Sequence, residues 1–302
     1  MSRPHVVSPS ELHALRDLEL ATRATVEGLR HGLHRSPFHG YSAEFSQYRH
    51  YRPGDDLKYV DWKLFGRTDR FYTRQFRETT NLAALFVVDV SASMGYPALG
   101  PQASSSSKTK LGLATSVAAI LGTLVLDQGD AAGVLAVDDR AHYVPPRSGG
   151  QHLRSFLAAL GELRASGARN VSDGLRRAAA VLKRRGLVIV LSDLYEEEDA
   201  ISQVRRLARM GHDVIVIHAL ASEEITLDVG GAAEFVDVES GAALNVQPSA
   251  IADAYRSAVG RWLADVERQL RSDGVDYLRV TTGEPLEPVL RRFLVARRSV
   301  AR

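Results

Sequence analysis

The sequence predicts an α/β fold with a mainly parallel central sheet and helices on both faces. Three observations predict it. Short, nearly continuous apolar runs recur after Asn81, at Leu82–Val90, Ala132–Val137, Leu187–Leu191, Val214–Ala219 and Tyr277–Val280. Such runs suit strands buried on both faces. Between them lie longer stretches with apolar residues at helical spacing, and strands alternating with amphipathic helices build a parallel sheet covered on both sides. Finally, two of the runs lead into aspartates, Asp89 and Asp193. Open α/β sheets bind their ligands at the carboxyl ends of their strands.

The elements follow in order. From Ser10 to about Leu33, Leu12, Leu15, Leu18, Ala21, Val26 and Leu29 mark one or two amphipathic helices. From Ser36 to Thr80 aromatics and arginines alternate. Pro53-Gly54 marks a turn there, and Phe71–Arg77 alternates like a strand. This helical and irregular or strand-like segment, residues 1–80, is expected to dock on a main domain, residues 81–302.

In that domain the strand Leu82–Val90 leads to a loop with the run Ser104–Ser107, placed by its position at the rim of the strand end. A helix follows through Leu111, Ala114, Ala118, Leu121 and Val125. After the strand Ala132–Val137 a paired strand is expected near His142–Val144. Leu153 to Leu163 and Leu175 to Leu182 mark two helices before the strand Leu187–Leu191. A helix at Glu197–Arg209 precedes the strand Val214–Ala219, and Ala233–Val238 reads as a short edge strand. Ile251 to Leu270 make a long helix with Ser249 as its expected cap. The strand Tyr277–Val280 and a helix over Leu286–Val295 close the chain.

Composition narrows the function. The 302 residues are 45% apolar and 25% charged, ordinary values for a globular protein with a real core. No apolar run spans a bilayer, and Met1–Ser10 has no apolar core of the signal-peptide kind, so a cytoplasmic location without a membrane span is expected. There is no cysteine, which excludes disulfides, thiolate metal sites and cysteine nucleophiles. With 38 basic and 36 acidic side chains, the charge does not call for a nucleic-acid partner. The arginine clusters, such as Lys183-Arg184-Arg185, read as solvated helix faces.

The chemistry concentrates at Asp89-Val90-Ser91-Ala92-Ser93. Asp-x-Ser-x-Ser lets one carboxylate and two hydroxyls converge from a single loop. These hard oxygens suit Mg2+ or Mn2+, with water or a partner's carboxylate completing an octahedron. Asp193 adds a second carboxylate at the same sheet edge. The plainer alternative is that each aspartate caps a helix or closes a turn.

Together, the Asp89–Ser93 element, the α/β order and Asp193 resemble a von Willebrand factor type A domain with its metal-ion-dependent adhesion site. The preceding block is more specific. Glu44-Phe45, Arg49, Tyr51-Arg52-Pro53-Gly54-Asp55-Asp56, Val60-Asp61-Trp62-Lys63 and Arg67 resemble the signature of the bacterial domain-of-unknown-function fifty-eight family, in which such a block precedes a von Willebrand A-like domain. The resemblance runs from about Ser36 to the C-terminus. It implies that Asp89, Ser91, Ser93 and Asp193 are metal ligands. Such domains also draw a threonine from the loop before a later helix. Here that position falls near Arg169, which cannot ligate a cation. Asn170 or Ser172 would have to substitute, or Arg169 would repel the ion and leave a degenerate site. In the signature block, Asp55, Asp56 and Asp61 lie among Arg49, Arg52, Lys58, Lys63 and Arg67, with Trp62 and several tyrosines. This mixture reads as an ion-pair network that holds the segment together, or as a partner surface, before it reads as catalytic.

No His-Glu-x-x-His helix, phosphate-binding Gly-x-x-x-x-Gly-Lys loop or Gly-x-Ser-x-Gly elbow is present in the sequence. No catalytic residue is assigned. The leading expectation is a non-enzymatic, metal-ion-dependent protein-binding module. The family resemblance implies an adaptor for a MoxR-type AAA+ ATPase in complex assembly or maturation. The rival is a Mg2+-dependent phosphoryl-transfer enzyme of the haloacid dehalogenase type, with Asp89 as nucleophile. That chemistry needs a carboxyl group two residues later as general acid, and Ser91 stands there.

Overall fold

A computed structural model describes residues 9–30, 43–78, 82–97, 109–136, 142–166, 171–195, 197–228, 231, 233–236 and 241–300. Contacts divide the chain into two compact units, residues 1–38 with 83–302 and residues 39–82. The first helix, α1 (Pro9–Arg30), packs on helices of the α/β unit, so the units divide the chain differently from a single boundary at residue 80.

The smaller unit holds β1 (Ala43–His50), a 3-10 turn (Leu57–Tyr59), α2 (Trp62–Thr68) and β2 (Tyr72–Glu78). The two strands pair antiparallel, from Ala43 opposite Glu78 to His50 opposite Tyr72, with an irregularity between Phe45 and Gln47. Its acidic residues shape the backbone. Asp61 caps α2, accepting from the Lys63 and Leu64 amides at 3.0 Å each, and also accepts from the Tyr48 hydroxyl at 2.8 Å. Asp56 caps the 3-10 turn through the Lys58 amide at 3.1 Å. Asp55 accepts from the Arg52 amide at 2.9 Å and from Arg49 Nη2 at 2.7 and 2.9 Å. The Arg52 N–H first, then the Arg49 guanidinium, hold its carboxyl below the usual carboxylate range. Gly54, at φ 104°, supplies the left-handed turn that brings Asp55 back to Arg52. Phe65 stacks on Phe71 at 4.2 Å, and Trp62 meets both edge-on.

The α/β unit continues with β3 (Ala83–Val88), α3 (Lys110–Asp127), β4 (Ala131–Ala136), β5 (His142–Arg147), α4 (Gly150–Gly161) and α5 (Val171–Val181). Next come β6 (Leu187–Ser192), α6 (Glu197–Arg209), β7 (Asp213–Leu220), α7 (Ser222–Thr226), β8 (Ala233–Val236) and β9 (Ala243–Val246). The chain ends in α8 (Pro248–Ser272), β10 (Asp276–Thr281) and α9 (Leu286–Val300). Six strands form one sheet in the order β10-β7-β6-β3-β4-β5. All neighbours are parallel except β4 and β5. β5 carries Pro145 and Pro146, and its edge position tolerates the missing donors.

Two expectations are corrected. The run from Ala233 does not join the main sheet but pairs locally with β9 as a separate antiparallel ribbon. Ser249 does not cap α8. It lies inside the helix, which opens at Pro248 after Gln247, and a proline at the first helical position needs no amide partner.

Alternation along the strands assigns the two faces. Leu85, Val87, Val188, Val190, Val214 and Val216 pack with Leu175, Val204, Val266 and Leu270 of α5, α6 and α8. On the opposite face Phe86 meets Phe156 of α4 edge-to-face at 5.3 Å, and α3 packs on the sheet beside α4 and α1. Gly122 permits the α3–α4 approach, since a Cβ there would lie 2.3 Å from the Phe156 ring. Among the described residues α3 is the only helix long and apolar enough to cross a membrane, and nearly all of it is buried inside this unit.

Candidate functional site at the switch point of the sheet

β3 and β6 are neighbours, but their chains leave in opposite directions. From β3 the chain passes through α3 to β4 on one side, and from β6 it passes through α6 to β7 on the other. That divergence opens the crevice in which α/β sheets bind ligands. Asp89 follows β3 and Asp193 follows β6, so the topology brings both carboxylates to this point. The Asp89 amide donates to Leu191 O at 2.9 Å and carries the pairing one residue past the strand.

The loop after β3 folds as a tight turn. Asp89 Oδ1 accepts from the Ser91 amide at 2.9 Å, and the Met94 amide donates to Ser91 O at 3.1 Å. A 3-10 turn over Ala92–Gly95 follows and leaves the Ser91 and Ser93 hydroxyls 3.1 Å apart. Ser192 locks the second strand end. Its hydroxyl donates to Asp89 Oδ2 at 2.6 Å and accepts from the Leu194 amide at 2.9 Å. Leu194 holds φ 53°, a left-handed conformation uncommon for a bulky residue, immediately after Asp193.

A lysine completes the arrangement. Lys110, the first residue of α3, has 0% exposure. Its Nζ donates to Asp193 Oδ2 at 2.8 Å and to Glu224 Oε1 at 2.6 Å, and it lies 4.5 Å from the centre of the Tyr195 ring. Glu224 belongs to α7, and its other oxygen accepts from the Ala221 amide at 2.9 Å. Behind Asp193, His218 of β7 bonds through Nε2 to Asp193 O at 2.8 Å and through Nδ1 to the Tyr277 hydroxyl at 2.9 Å. A carbonyl only accepts, so Nε2 carries the proton and Nδ1 accepts from the tyrosine. Burial pushes the imidazole pKa down to about 4 and keeps it neutral. Beside Glu224 and Tyr195 lies a cleft of about 220 Å³, walled also by Ile225, Tyr255, Val259 and Trp262.

Asp89 bears the strain of the site. Its burial, and then the negative charge of Asp193, push its pKa up to about 6 against the hydrogen bonds from Ser192 and Ser91. The Lys110 ammonium is shared by Asp193 and Glu224, while the oxygens of Asp89 accept from the Ser91 amide and the Ser192 hydroxyl, which are neutral donors. Ser172 lies at the start of α5, a helix that runs toward β6 from this same edge, and its buried hydroxyl has no partner among the described residues. Carboxylate and hydroxyl oxygens are hard donors of the kind that Mg2+ or Mn2+ takes, so Asp89, Asp193 and the neighbouring serines could hold such an ion. Among the described residues no three His, Asp or Glu side chains close around one point, so hydroxyls and water would supply much of the coordination.

Of the residues singled out in the sequence, Asp89, Ser91, Ser93 and Asp193 meet at this edge. Asn170 and Arg169 lie outside the described residues, as does Ser104–Ser107. Arg49, Asp55, Asp56, Asp61 and Trp62 act within the smaller unit as described, where Arg67 closes α2. Glu44 is in β1, and its side chain lies outside the described residues. Sequence reasoning missed Lys110, Glu224 and His218. Each left a faint signal: a lysine opening an otherwise apolar helix, an acidic pair after a third strand end, and one polar residue inside the run Val214–Leu220.

The uncharacterized proteins Mb1516 of Mycobacterium bovis and Rv1480 of Mycobacterium tuberculosis are each 29% identical to this chain over 307 aligned positions, covering 99% of it and 93% of their own length. Among solved structures, the conserved hypothetical protein BatB from Bacteroides thetaiotaomicron superposes with a TM-score of 0.46 at 16% identity, covering 72% of this chain and 99% of that one. An aerotolerance-related membrane protein from Bacteroides fragilis, solved with multiple mutations to serines, superposes with a TM-score of 0.44 at 15% identity, covering 71% and 99%. The model of one family, described as "Protein of unknown function DUF58", matches residues 47–264, well over half of the sequence, and the chain belongs to that family.

Proposed function

We propose that this chain is a non-enzymatic, metal-ion-dependent protein-binding module of the von Willebrand A-like kind. One observation carries the reading: Asp89 and Asp193 meet at the switch point, where Asp193 shares one ammonium with Glu224 and the donors bonded to Asp89 are neutral. Bound there, Mg2+ or Mn2+ would supply an open coordination position for a partner's carboxylate. Asp89 and Asp193 hold the charge that attracts the ion. Ser91 and Ser93 present hydroxyl oxygens, and the buried Ser172 hydroxyl is a further donor at the same edge. Ser192 and His218 fix the two strand ends.

The hydrogen bonding favours binding over catalysis. The Lys110 ammonium is engaged by two carboxylates, and both His218 nitrogens are engaged by Asp193 O and Tyr277. Among the described residues neither bonds to Ser91 or Ser93, so neither of these serines is paired with a histidine or lysine base. The phosphoryl-transfer alternative lacks its general acid, because Ser91 stands two residues after Asp89. The family resemblance implies a MoxR-type AAA+ ATPase as the partner, and the role we propose is that of a cytoplasmic adaptor in complex assembly.

The test is affinity capture of a MoxR-type ATPase on the wild type, on Asp89→Ala and on the wild type with chelator. Capture by the wild type alone is the expected result. Equal capture in all three arms would refute recognition through a metal, and turnover of a phosphate ester with Mg2+ would revive the enzymatic alternative.

A further inference from the structure

Lys110 is an unusual neighbour for a divalent ion. Its side chain is wholly buried, and it brings a positive charge to Asp193, one of the two carboxylates the ion would use. It bonds one oxygen of Asp193, while the other oxygen has among the described residues a long 3.4 Å contact with the Tyr195 amide. It bonds Glu224 more closely, at 2.6 Å. Glu224 is itself held by the amide of Ala221, so it stays in place whether or not the ammonium remains shared. One ammonium thus lies between a carboxylate at the strand end and a second carboxylate that can keep it.

We infer that Lys110 is the resident counter-cation of this site: it competes with a divalent ion for Asp193, and Glu224 is the acceptor that retains it when the ion binds. The inference rests on the metal-binding reading above and adds a determinant of affinity to it. Like charges a few ångströms apart repel strongly in a buried setting, so Lys110 lowers ion affinity. Glu224 counters this by drawing the ammonium toward itself. A site tuned in this way resists filling by trace ions and gains most from the negative charge of an incoming partner carboxylate.

The experiment is a Mn2+ binding isotherm, followed by electron paramagnetic resonance, on the full chain and three variants. Glu224→Gln leaves Lys110 to Asp193 alone and is expected to weaken binding at least tenfold. Lys110→Met removes the competitor and is expected to tighten binding at least tenfold, a gain that mere damage to the fold would not produce. Should Lys110→Met alone fail to fold, Lys110→Met with Glu224→Gln removes one charge of each sign. That double variant is expected to bind at least tenfold tighter than Glu224→Gln. Mn2+ binding of equal strength in the wild type and every folded variant would overturn the role of Lys110 and leave the metal site standing. Binding by Lys110 variants but not by the wild type would support the competition in its strongest form. Binding by none of the proteins would overturn both the inference and the metal reading.

Discussion

Asp89→Asn should stabilise the ion-free protein while abolishing its response to the ion. In the fold the Asp89 carboxyl has a pKa of about 6, against 3.8 for the unperturbed group. At about 1.4 kcal/mol per unit, keeping it ionised near neutral pH costs the fold roughly 3 kcal/mol relative to the ionised carboxyl of the unfolded chain. Asparagine is close to the protonated carboxyl in shape and carries no charge. Its carbonyl can still accept from the Ser91 amide, and the Ser192 hydroxyl can turn to accept from the new amide. The upper limit of the gain is therefore roughly 3 kcal/mol at pH 7.5 in chelator, or on the order of 5–10 °C in melting temperature for a chain of this size. The sign follows from linkage. A carboxyl whose folded pKa is raised contributes stability that is present below pH 3.8 and lost as pH rises through 6. The advantage of the variant should consequently shrink toward zero near pH 4. Adding Mg2+ or Mn2+ should raise the melting temperature of the wild type and leave the variant unchanged. Differential scanning calorimetry across pH 4 to 8, with chelator and with metal, reads all three effects. A variant less stable than the wild type by the same amount at every pH would refute the reasoning, because Asp89 would then serve only as a hydrogen-bond acceptor.

Other outcomes are expected. His218 has its folded pKa lowered from 6.5 to about 4, so its contribution is present above pH 6.5 and lost as pH falls toward 4. His218→Gln should remove about 3 kcal/mol of acid sensitivity in that window, seen in urea titrations at successive pH values, and so unmask the opposite slope from Asp89. Gly122→Val should destabilise the α/β unit by about 1–3 kcal/mol, because its Cβ meets the Phe156 ring at 2.3 Å. Pairing it with Phe156→Leu should recover part of the loss in the same melts. Asp61→Ala removes the cap of α2 and the acceptor for Tyr48, and should cost about 1–2 kcal/mol. Hydrogen exchange should then quicken at the Lys63 and Leu64 amides while the amides of β3 and β6 keep their protection.

Most of the α/β unit was legible because its strands are buried on both faces and read as unbroken apolar runs. The strand ends at Asp89 and Asp193 followed from the same signal, since each run stops at a charge. β1 was not legible. Ala43–His50 mixes polar and aromatic residues without clean alternation, and its pairing with β2 gives it order that its own pattern does not. The cap of α8 was misplaced because Ser249 has the better side chain but Pro248 has the better backbone. Half of the candidate site escaped for a different reason. Lys110 and Glu224 each look like a surface charge at a helix start, and only tertiary packing turns them inward. His218 looks like an interruption in a strand until Tyr277 and the Asp193 carbonyl are seen on either side of it.

The bonds that define the site also constrain how the chain reaches its native state. Ser192 and Asp89 are 103 positions apart, Lys110 and Asp193 are 83 apart, and Lys110 and Glu224 are 114 apart. None of these contacts can form until the middle of the sheet has been assembled from distant stretches of sequence, a topology that folds slowly. The loop after β3 can bend on its own, but without β6 beside it Asp89 has neither the second carboxylate of Asp193 nor the Ser192 hydroxyl. A ligand that needs the complete constellation therefore cannot hasten the search that builds it. Its kinetic signature should appear on the other limb of the chevron, as slower unfolding with an unchanged refolding rate.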